Sequence, residues 1–414
     1  MSNASGPVLV MGAGTVGCFV GGALQSAGAD VVFVGRPRVL TALSSQGLTL
    51  TDLDGRLQQI KPGALSLHET IPPDLRPALV LLCVKSGGTA AAAAELGAAL
   101  PAGTPVLCLQ NGVSNADEGR AAAPGLHWLP GMVPFNIAEL GPGHVHRGTA
   151  GQLAAQDDAA LRPWLPAFAA GGLPLTLHTD MRPVLWGKLL LNLNNPVNAL
   201  SGLPLRAQLL DAGYRRVLAA LQVEALAVLK AAGIEPARVG SVAPRWLPRV
   251  LGLPNWLFRR LAKRMLRMDD RARSSMADDL ALGRPVEIDA LCGAVVRLAQ
   301  SQGRDAPLNR RMVGLFAPGA VRPGTPQALR GRSRSPTRRR RRLGARTRPE
   351  PAADRRPPTA DCRRLMGRRA DGQTSRPASA RPRPPPPPHA RACATGRPAT
   401  GHCHGACSRN RTAG

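Results

Sequence analysis

The sequence VLVMGAGTVG at residues 8–17 places a GxGxxG loop directly after a short apolar run and in front of a helical stretch. In this setting Gly12 allows a tight turn, Gly14 lets the backbone approach a diphosphate, and Gly17 lets the helix pack closely on the strand. The N-terminus of the helix adds N–H donors and partial positive charge. The loop therefore predicts a dinucleotide-binding site formed by Gly12, Ala13, Gly14, Thr15, Val16 and Gly17.

The residues that follow this loop repeat the order of strand and helix. Strands are predicted at residues 30–34, 78–84 and 105–109, and helices at residues 17–27 and 90–100. The run ALVLLCV at 78–84 is apolar throughout, which is typical of strands buried on both faces of a parallel sheet. Residues 141–177 are ambiguous, and the sheet is expected to end among them. The pattern predicts a doubly wound α/β domain over residues 1–178.

From Met181 onward, strand-like runs give way to apolar residues spaced three and four apart. This spacing is found at residues 185–193, 207–232 and 288–302. It predicts an all-α domain over residues 179–318. Within it, residues 246–268 combine Trp, Leu and Phe with Arg and Lys, so a helix on a membrane surface is an alternative to helices packed on the domain. Pro248 and Pro254 would break such a helix, which favours the packed helices.

The choice of dinucleotide depends on the residue that ends the second strand. An Asp or Glu there usually binds the ribose 2′-hydroxyl of NAD. This chain instead has Arg36, within the sequence VGRPR at residues 34–38. A guanidinium pairs with the 2′-phosphate of NADP, whereas an acid would repel it. Arg36 could also be an ordinary loop arginine in an Arg-rich chain, but the missing acid favours NADPH as the cofactor.

A second polar feature lies in the leucine-rich sequence WGKLLLNLNNP at residues 186–196. At about 100° per residue, Asn192 and Asn195 lie within about 40° of Lys188 around a helix. One interpretation is a solvated face of a surface helix. The other is a site in which Lys188 donates a proton and the amides orient a ligand, because core helices exclude these side chains unless they have partners.

Positive charge is concentrated at the C-terminal end of the chain. Residues 319–414 hold 24 of the 54 Lys and Arg residues but only 4 of the 26 Asp and Glu residues, a net charge of +20 out of +28. They also hold 15 of the 40 Pro residues and no aromatic residue. Such a segment cannot bury enough apolar surface to offset the entropy lost on ordering, so a disordered tail is predicted. The remaining +8 excludes a uniformly basic protein.

Several interpretations of this tail remain open. Five consecutive Arg at 338–342 and five consecutive Pro at 384–388 are compatible with a nucleic-acid-binding or targeting arm or with a proline-rich ligand. The tail also lacks Phe, Tyr, Ile and Lys and has one Asn, as expected for out-of-frame translation of GC-rich DNA. This composition leads to the hypothesis of a frameshift or read-through product. Resequencing the region that encodes residues 315–321 tests it, and an intact reading frame would reject it.

The remaining features predict a cytoplasmic protein without a metal site. Cys18, Cys83, Cys108 and Cys292 are widely spaced in apolar surroundings, which predicts small buried side chains rather than disulfides. The chain shows neither a secretory signal nor an apolar run of about 20 residues that could span a membrane. The Cys and His residues of the tail match no paired-ligand spacing, so no metal is expected.

Together these motifs resemble the ketopantoate reductase family, the 2-dehydropantoate 2-reductases, over about residues 8–316. The matching elements, in chain order, are the glycine loop at 12–17, Arg36, Cys-Val-Lys-Ser with Lys85, Leu-Gln-Asn-Gly with Asn111, Trp-x-Lys-Leu-x-x-Asn with Lys188 and Asn192, Asn195-Pro196, Ser-Ser-Met at 274–276, and Glu-Ile-Asp at 287–289. One spacing differs: Asn195 follows Lys188 by seven residues, where the family pattern has eight.

The resemblance implies an α/β N-terminal Rossmann domain, an all-α C-terminal domain and an active site in the cleft between them. It implies NADPH-dependent reduction of 2-dehydropantoate (ketopantoate) to (R)-pantoate in pantothenate and coenzyme A biosynthesis. The alternatives are reduction of another 2-keto acid with NADPH, nucleic-acid binding through the basic tail, and NADP sensing without catalysis. The expected partner is a small 2-keto acid, with no membrane and no specific nucleic acid, and the chain is expected to be a monomer or homodimer.

The resemblance also implies roles for individual residues. Lys188 would be the general acid that protonates the forming alkoxide, and Glu287 would complete the catalytic polar network near the substrate or the cofactor ribose. The substrate would be held by Asn111, Asn192, Asn195 and Ser275, and the cofactor by the glycine loop with Arg36, Lys85, Asn111 and Glu287. From the residues alone, Glu287 is an acid in the first turn of a helix, where it would interact with the helix dipole.

Overall fold

The computed structural model describes residues 6–262 and 272–317, which belong to one unit of the chain. The predictions for the tail at 319–414 and for residues 263–268 of the Trp- and Arg-containing segment fall outside the described residues.

Twelve strands occur in the described part of the chain, all of them between Val8 and His178. They are β1 (Val8–Met11), β2 (Val31–Val34), β3 (Leu48–Asp52), β4 (Leu57–Ile60), β5 (Ser66–His68), β6 (Leu79–Leu82), β7 (Pro105–Cys108), β8 (His127–Met132), β9 (Ile137–Gly141), β10 (His144–Arg147), β11 (Leu153–Gln156) and β12 (Leu175–His178).

Fourteen α-helices occur in the same ranges. They are α1 (Thr15–Ser26), α2 (Pro37–Gln46), α3 (Thr89–Ala99), α4 (Asn115–Ala122), α5 (Leu165–Ala170), α6 (Arg182–Asn192), α7 (Asn194–Ser201), α8 (Leu205–Leu210), α9 (Ala212–Ala231), α10 (Leu247–Leu251), α11 (Asn255–Leu261), α12 (Ser275–Ala281), α13 (Ala294–Gln300) and α14 (Pro307–Gly314). A π-helical turn at Asp289–Gly293 leads directly into α13.

Eight strands form the central sheet, in the order β12-β11-β8-β7-β6-β1-β2-β5. Neighbouring strands are parallel except β8 and β11, which are antiparallel. The chain order reverses between β1 and β6, and ligands of such sheets bind outside the carboxyl ends of the strands at this point. Every residue of β1 and β6 is buried, as the apolar runs predict. The predicted α/β Rossmann domain is confirmed.

A second sheet of four strands, in the order β4-β3-β10-β9, was not predicted. It packs on α1, where a side chain at Gly22 would lie 2.7 Å from Cδ2 of Leu48. Its strands are short, and β3 pairs with β10, whose residues come about ninety positions later, with Thr51 opposite His146. Because the pairing is so distant in sequence, no local pattern indicates it.

The helices from α6 to α14 form a second core around α9, with Leu190, Phe258 and Cys292 completely buried. This confirms the predicted all-α domain. The predicted helix at 207–232 is in fact two helices, because Asp211 ends the first and caps the second. Its carboxylate accepts hydrogen bonds from the backbone nitrogens of Gly213 at 2.6 Å and Tyr214 at 3.3 Å.

The described part of the Trp- and Arg-containing segment forms α10 and α11, separated by Pro254. Leu247, Leu251 and Phe258 bury their side chains in the helical core. The packed helices favoured by the prolines are therefore observed. No helix of the described residues is long and apolar enough to cross a membrane.

The four cysteines among the described residues form no disulfide. Cys18, Cys108 and Cys292 are buried as predicted, whereas Cys83 is half-buried. Burial raises the pKa of the Cys18 and Cys108 thiols to about 12, so both stay protonated near neutral pH.

Arg215 is fully buried within the helical core. Its guanidinium donates to the carbonyl oxygens of Leu209, Leu251 and Leu253 and to Oδ1 of Asn255, at 2.8–3.0 Å. It also lies over the ring of Phe258, 4.3 Å from the centroid. A single side chain thus fixes the segment between α10 and α11 against α9.

Replacing Arg215 by lysine should destabilise the helical domain, because an ammonium on a shorter stem cannot reach this set of acceptors. Leaving buried carbonyl groups unpaired should lower the free energy of unfolding by about 2–4 kcal/mol in urea denaturation. Arg216→Lys is the matched control, since Arg216 is exposed beside it on α9. Equal stability of the two variants would show that the fork of hydrogen bonds does not stabilise the domain.

Candidate active site

The glycine loop lies at the carboxyl end of β1, where the chain order of the sheet reverses. Gly12 has a φ of 106°, and a side chain there would lie 2.6 Å from the backbone nitrogen of Val84. A side chain at Gly17 would lie 2.2 Å from the carbonyl oxygen of Gly12. Gly14, by contrast, is exposed with open space in front of it. The three glycines therefore have the turn, approach and packing geometry predicted from the sequence.

The loop leads into the N-terminus of α1, which has Gly14 as its N-cap and no acidic residue in its first turn. The backbone nitrogens of Gly12 and Ala13 both donate to the carbonyl oxygen of Val34, which fixes the loop to the end of β2. The first-turn N–H groups of a helix lack intrahelical partners and attract anions. Open space at Gly14 and these donors fit the diphosphate of a dinucleotide.

Arg36 lies just beyond the end of β2, where the sequence predicts the residue that would contact the adenosine ribose of the dinucleotide. It follows β2, serves as the N-cap residue of α2 and is exposed to solvent. The preceding residue, Gly35, packs against the loop: a side chain at Gly35 would lie 2.7 Å from Cβ of Ala13. The glycine loop and Arg36 are therefore parts of one continuous surface at the ends of β1 and β2.

Glu287 connects the two domains. Its Oε1 accepts hydrogen bonds from the backbone nitrogen of Ser86 at 3.1 Å and from the Ser86 hydroxyl, and its Oε2 accepts one from Nδ2 of Asn111 at 3.1 Å. Ser86 follows β6 and Asn111 follows β7, so the carboxylate lies at the carboxyl ends of two parallel strands. One residue after Glu287, Ile288 leads into the π-helical turn, a feature that is frequent at functional sites.

A line of polar side chains continues from Glu287 into the helical domain. Oδ1 of Asn111 accepts a hydrogen bond from Nδ2 of Asn192 at 3.1 Å. Asn192 is buried at the end of α6, one helical turn beyond Lys188. Hydrogen bonds therefore connect three of the predicted site residues, Glu287, Asn111 and Asn192, and Lys188 lies on the same helix as Asn192.

The Lys188 side chain is half-buried. It donates a hydrogen bond to the carbonyl oxygen of Pro134 at 2.9 Å, just beyond β8. Burial lowers the pKa of Lys188 from its ordinary 10.5 to about 8. An ammonium with such a pKa is mostly protonated at neutral pH and gives up its proton readily, which suits a general acid.

Lys85 forms an ion pair across the domain boundary. Its Nζ lies 2.7 Å from Oδ2 of Asp279 in α12. The Asp279 side chain is 8% exposed, whereas the Lys85 side chain is 51% exposed, so Lys85 also faces solvent. The predicted contact of Lys85 with a cofactor stays a prediction.

Asn195 and Ser275 lie apart from this line of hydrogen bonds. Leu193 separates α6 from α7, since Pro196 lacks an N–H group and its ring excludes a regular bond at the Asn192 carbonyl. Asn195 therefore belongs to α7, whereas Lys188 and Asn192 belong to α6. Its backbone carbonyl accepts a hydrogen bond from the Ser274 hydroxyl at 3.4 Å.

Ser274 is the N-cap of α12, where its hydroxyl accepts a hydrogen bond from the Ala277 nitrogen, and exposed Ser275 begins that helix. Asn195 and Ser275 therefore come from neighbouring segments. Among the described residues, no hydrogen bond links either side chain to Lys188, Asn192 or Glu287. Their substrate contacts stay predictions.

Sequence reasoning missed three groups at the site: Ser86, Asp279 and the Pro134 carbonyl. Ser86 could have been predicted, because its hydroxyl and its backbone N–H directly follow Lys85 at the end of a predicted strand. Asp279 lies in the helix that Ser275 begins, and no local pattern indicates its pairing with Lys85. A backbone carbonyl such as that of Pro134 leaves no signal in side-chain types.

Two family models match the chain. The model described as ketopantoate reductase PanE/ApbA matches residues 8–159, and the model of the ketopantoate reductase PanE/ApbA C terminal matches residues 180–319. A curated 2-dehydropantoate 2-reductase from Halobacterium salinarum is 31% identical over 315 residues, which cover 74% of this chain and 97% of that protein.

Solved structures show the same similarity. A PanE/ApbA family ketopantoate reductase from Ralstonia eutropha JMP134 is 33% identical with a TM-score of 0.63, covering 75% of this chain and 96% of that one. D-mandelate dehydrogenase, solved with NADH and anilino(oxo)acetate, shares the fold at 19% identity and a TM-score of 0.62, with coverage of 75% and 96%. Together with the two family models, these similarities show that the chain belongs to the ketopantoate reductase PanE/ApbA family.

Proposed function

We propose that this chain catalyses the NADPH-dependent reduction of 2-dehydropantoate to (R)-pantoate. The observation that carries the proposal is the polar path from Glu287 through Asn111 to Asn192, with the half-buried ammonium of Lys188 one helical turn away on α6. This path begins at the carboxyl ends of β6 and β7, next to the glycine loop. The similarity to a curated 2-dehydropantoate 2-reductase supports the choice of substrate.

NADPH would be held at the carboxyl ends of β1 and β2. The backbone of the glycine loop would bind the diphosphate, and the Arg36 guanidinium would pair with the 2′-phosphate. The exposed ammonium of Lys85, which follows β6, would add positive charge near the carboxyl ends of these strands. When bound, the reduced nicotinamide supplies a hydride to the keto carbon.

The amides of Asn111 and Asn192 would bind the substrate. Each amide nitrogen carries two N–H groups. One N–H group of Asn111 donates to Glu287, and one N–H group of Asn192 donates to Asn111. The others can donate to the carboxylate of a 2-keto acid, with Asn195 and Ser275 completing the site. Glu287 accepts a hydrogen bond from one N–H group of the Asn111 amide. This contact would fix the amide so that its second N–H group points toward the substrate.

Lys188 would complete the reaction at the ketone oxygen. Its ammonium stabilises the negative charge that develops there and then transfers a proton, which converts the alkoxide into the hydroxyl of pantoate. The Pro134 carbonyl accepts one ammonium hydrogen, which fixes the direction of Nζ and leaves the other two for the substrate.

The lowered pKa of Lys188 predicts how activity depends on pH. Since the protonated amine is the acid, kcat/KM for ketoacid reduction should fall as pH rises through about 8, by about tenfold per pH unit above it. Steady-state rates at saturating NADPH over a pH series would measure this. An activity that stays constant well above pH 8, with the protein still folded, would contradict proton donation by Lys188.

A panel of 2-keto acids assayed with NADPH and with NADH tests the proposed function. Ketopantoate should give the highest kcat/KM, because the relative that is 31% identical over nearly its whole length is a 2-dehydropantoate 2-reductase, whereas the asparagines and Lys188 would recognise the 2-keto carboxylate that all members of the panel share. A higher value for a different 2-keto acid would assign that substrate instead. No oxidation of NADPH by any member of the panel, together with salt-sensitive RNA binding, would replace the reductase by nucleic-acid binding.

A further inference from the structure

A buried threonine hydroxyl lies directly behind the residues that hold Glu287. Thr89, the first residue of α3, has no exposed surface. Its Oγ1 lies 2.8 Å from the carbonyl oxygen of Ser86 and 3.2 Å from Oδ1 of Asn115, and it accepts a hydrogen bond from Nε2 of Gln110 at 2.8 Å. One hydroxyl therefore contacts the segment after β6 and, at two places, the segment after β7.

These contacts lead to Asn111 as well as to Ser86. Nδ2 of Asn115 donates to the backbone carbonyl oxygen of Asn111 at 2.9 Å, and Gln110 is the residue before Asn111. The segments that Thr89 joins are thus the same two whose side chains bind the Glu287 carboxylate. The distance between these two segments determines whether both carboxylate oxygens of Glu287 can accept hydrogen bonds at the same time.

The number of hydrogen bonds that the Thr89 hydroxyl makes leaves it hard to replace by another side chain. A hydroxyl has one hydrogen, which the Ser86 carbonyl oxygen and Oδ1 of Asn115 share as acceptors. The hydroxyl oxygen also has lone pairs, which accept the hydrogen bond from Nε2 of Gln110. Gln110 and Asn115 are 8% and 6% exposed, so water has little access to take over these bonds. The Gln110 oxygen already lacks a hydrogen-bond partner among the described residues. Loss of the hydroxyl would leave buried donors and acceptors unpaired, and the segments would move to compensate.

We propose that Thr89 is a positioning residue, which holds Ser86 and Asn111 at the spacing that binds Glu287 and so orients the Asn111 amide toward the substrate. The proposal rests on the proposed function for its kinetic consequence. The arrangement of the two segments around Glu287 can be measured even if the proposed function is wrong.

The test compares Thr89→Val, which keeps the shape and removes the hydroxyl, with Thr89→Ser, which keeps the hydroxyl. Thr104→Val is the matched control, because Thr104 is 7% exposed in the same domain and its hydroxyl donates to the Pro101 carbonyl at 2.7 Å, with no link to Glu287. The full chain is used throughout, at a temperature where thermal melts show all variants folded.

Thr89→Val should lower kcat/KM for the keto acid about tenfold, mainly through KM, whereas Thr89→Ser stays within about threefold of the unmodified chain. Thr104→Val should leave kcat/KM unchanged even if it lowers stability by a similar amount. Combining Thr89→Val with Glu287→Gln should give nearly the rate of Glu287→Gln alone, because Thr89 acts through that carboxylate. Equal losses for the two valine variants, or full additivity with Glu287→Gln, would overturn the proposal.

Hydrogen exchange provides a readout independent of catalysis. The Ser86 amide donates to Glu287, so Thr89→Val should speed exchange of the peptides around Ser86 and Asn111, and Thr104→Val should not. Unchanged exchange at both peptides would overturn the positioning role. If the unmodified chain reduces no 2-keto acid, the proposed function fails, while the exchange experiment still decides whether Thr89 orders these segments.

Discussion

Replacing Lys188 by alanine should lower kcat for ketopantoate reduction by about 10²–10⁴-fold, the usual contribution of a positioned general acid. The alanine variant lacks the ammonium that would stabilise and protonate the developing alkoxide, and neither the Pro134 carbonyl nor the neutral amide of Asn192 on the same helix can supply that proton. The KM for NADPH should change little, since the glycine loop and Arg36 lie on the Rossmann domain. Steady-state kinetics with a thermal melt of each variant would measure both effects.

Lys230→Ala is the control for this experiment, since Lys230 is an exposed lysine at the end of α9. It removes the same charge and should leave kcat unchanged. A Lys188→Ala variant that is folded and retains kcat within about twofold of the unmodified chain would remove Lys188 from the chemistry. The site would then need another proton donor.

Replacing Arg36 by alanine should change the choice of cofactor. A charge-assisted hydrogen bond to a phosphate contributes about 1.5–3 kcal/mol, so kcat/KM for NADPH should fall by about 10–100-fold. The value for NADH should stay nearly constant, because NADH lacks the 2′-phosphate and no acidic residue takes its place at the end of β2. Rates measured at several concentrations of each dinucleotide would give the ratio.

Arg38→Ala is the matched control for Arg36. Arg38 is exposed in the first turn of α2, two residues away, and contributes the same long-range charge. If only Arg36 contacts the phosphate, Arg38→Ala should leave the NADPH preference intact. Equal losses of NADPH activity in the two variants would attribute the preference to general positive charge instead.

The parts of the site that depend on neighbours in sequence could be predicted. The roles of Gly12, Gly14 and Gly17 follow from one turn of chain between a strand and a helix, and the structure has that geometry. Lys188 and Asn192 share a helix, so their spacing alone places them on one face. Asn195 lies in the next helix, α7, so spacing within one helix does not place it relative to Lys188.

The parts that depend on distant pairing could not be predicted from one sequence. Lys85 and Asp279 are 194 positions apart, and Ser86 and Glu287 are 201 apart. Each of these residues has an ordinary local environment, such as a strand end or the first turn of a helix. The second sheet was missed for the same reason, because paired residues of β3 and β10, such as Thr51 and His146, are 95 positions apart.

The central claim is that this chain transfers a hydride from NADPH to ketopantoate. The most direct measurement mixes the purified full chain with NADPH and ketopantoate and follows both the absorbance of the reduced nicotinamide and the appearance of pantoate. We expect one (R)-pantoate formed for each NADPH oxidised, with little turnover when NADH replaces NADPH. A folded chain that binds NADPH but forms no pantoate, at any pH below about 8 where Lys188 is protonated, would contradict the claim.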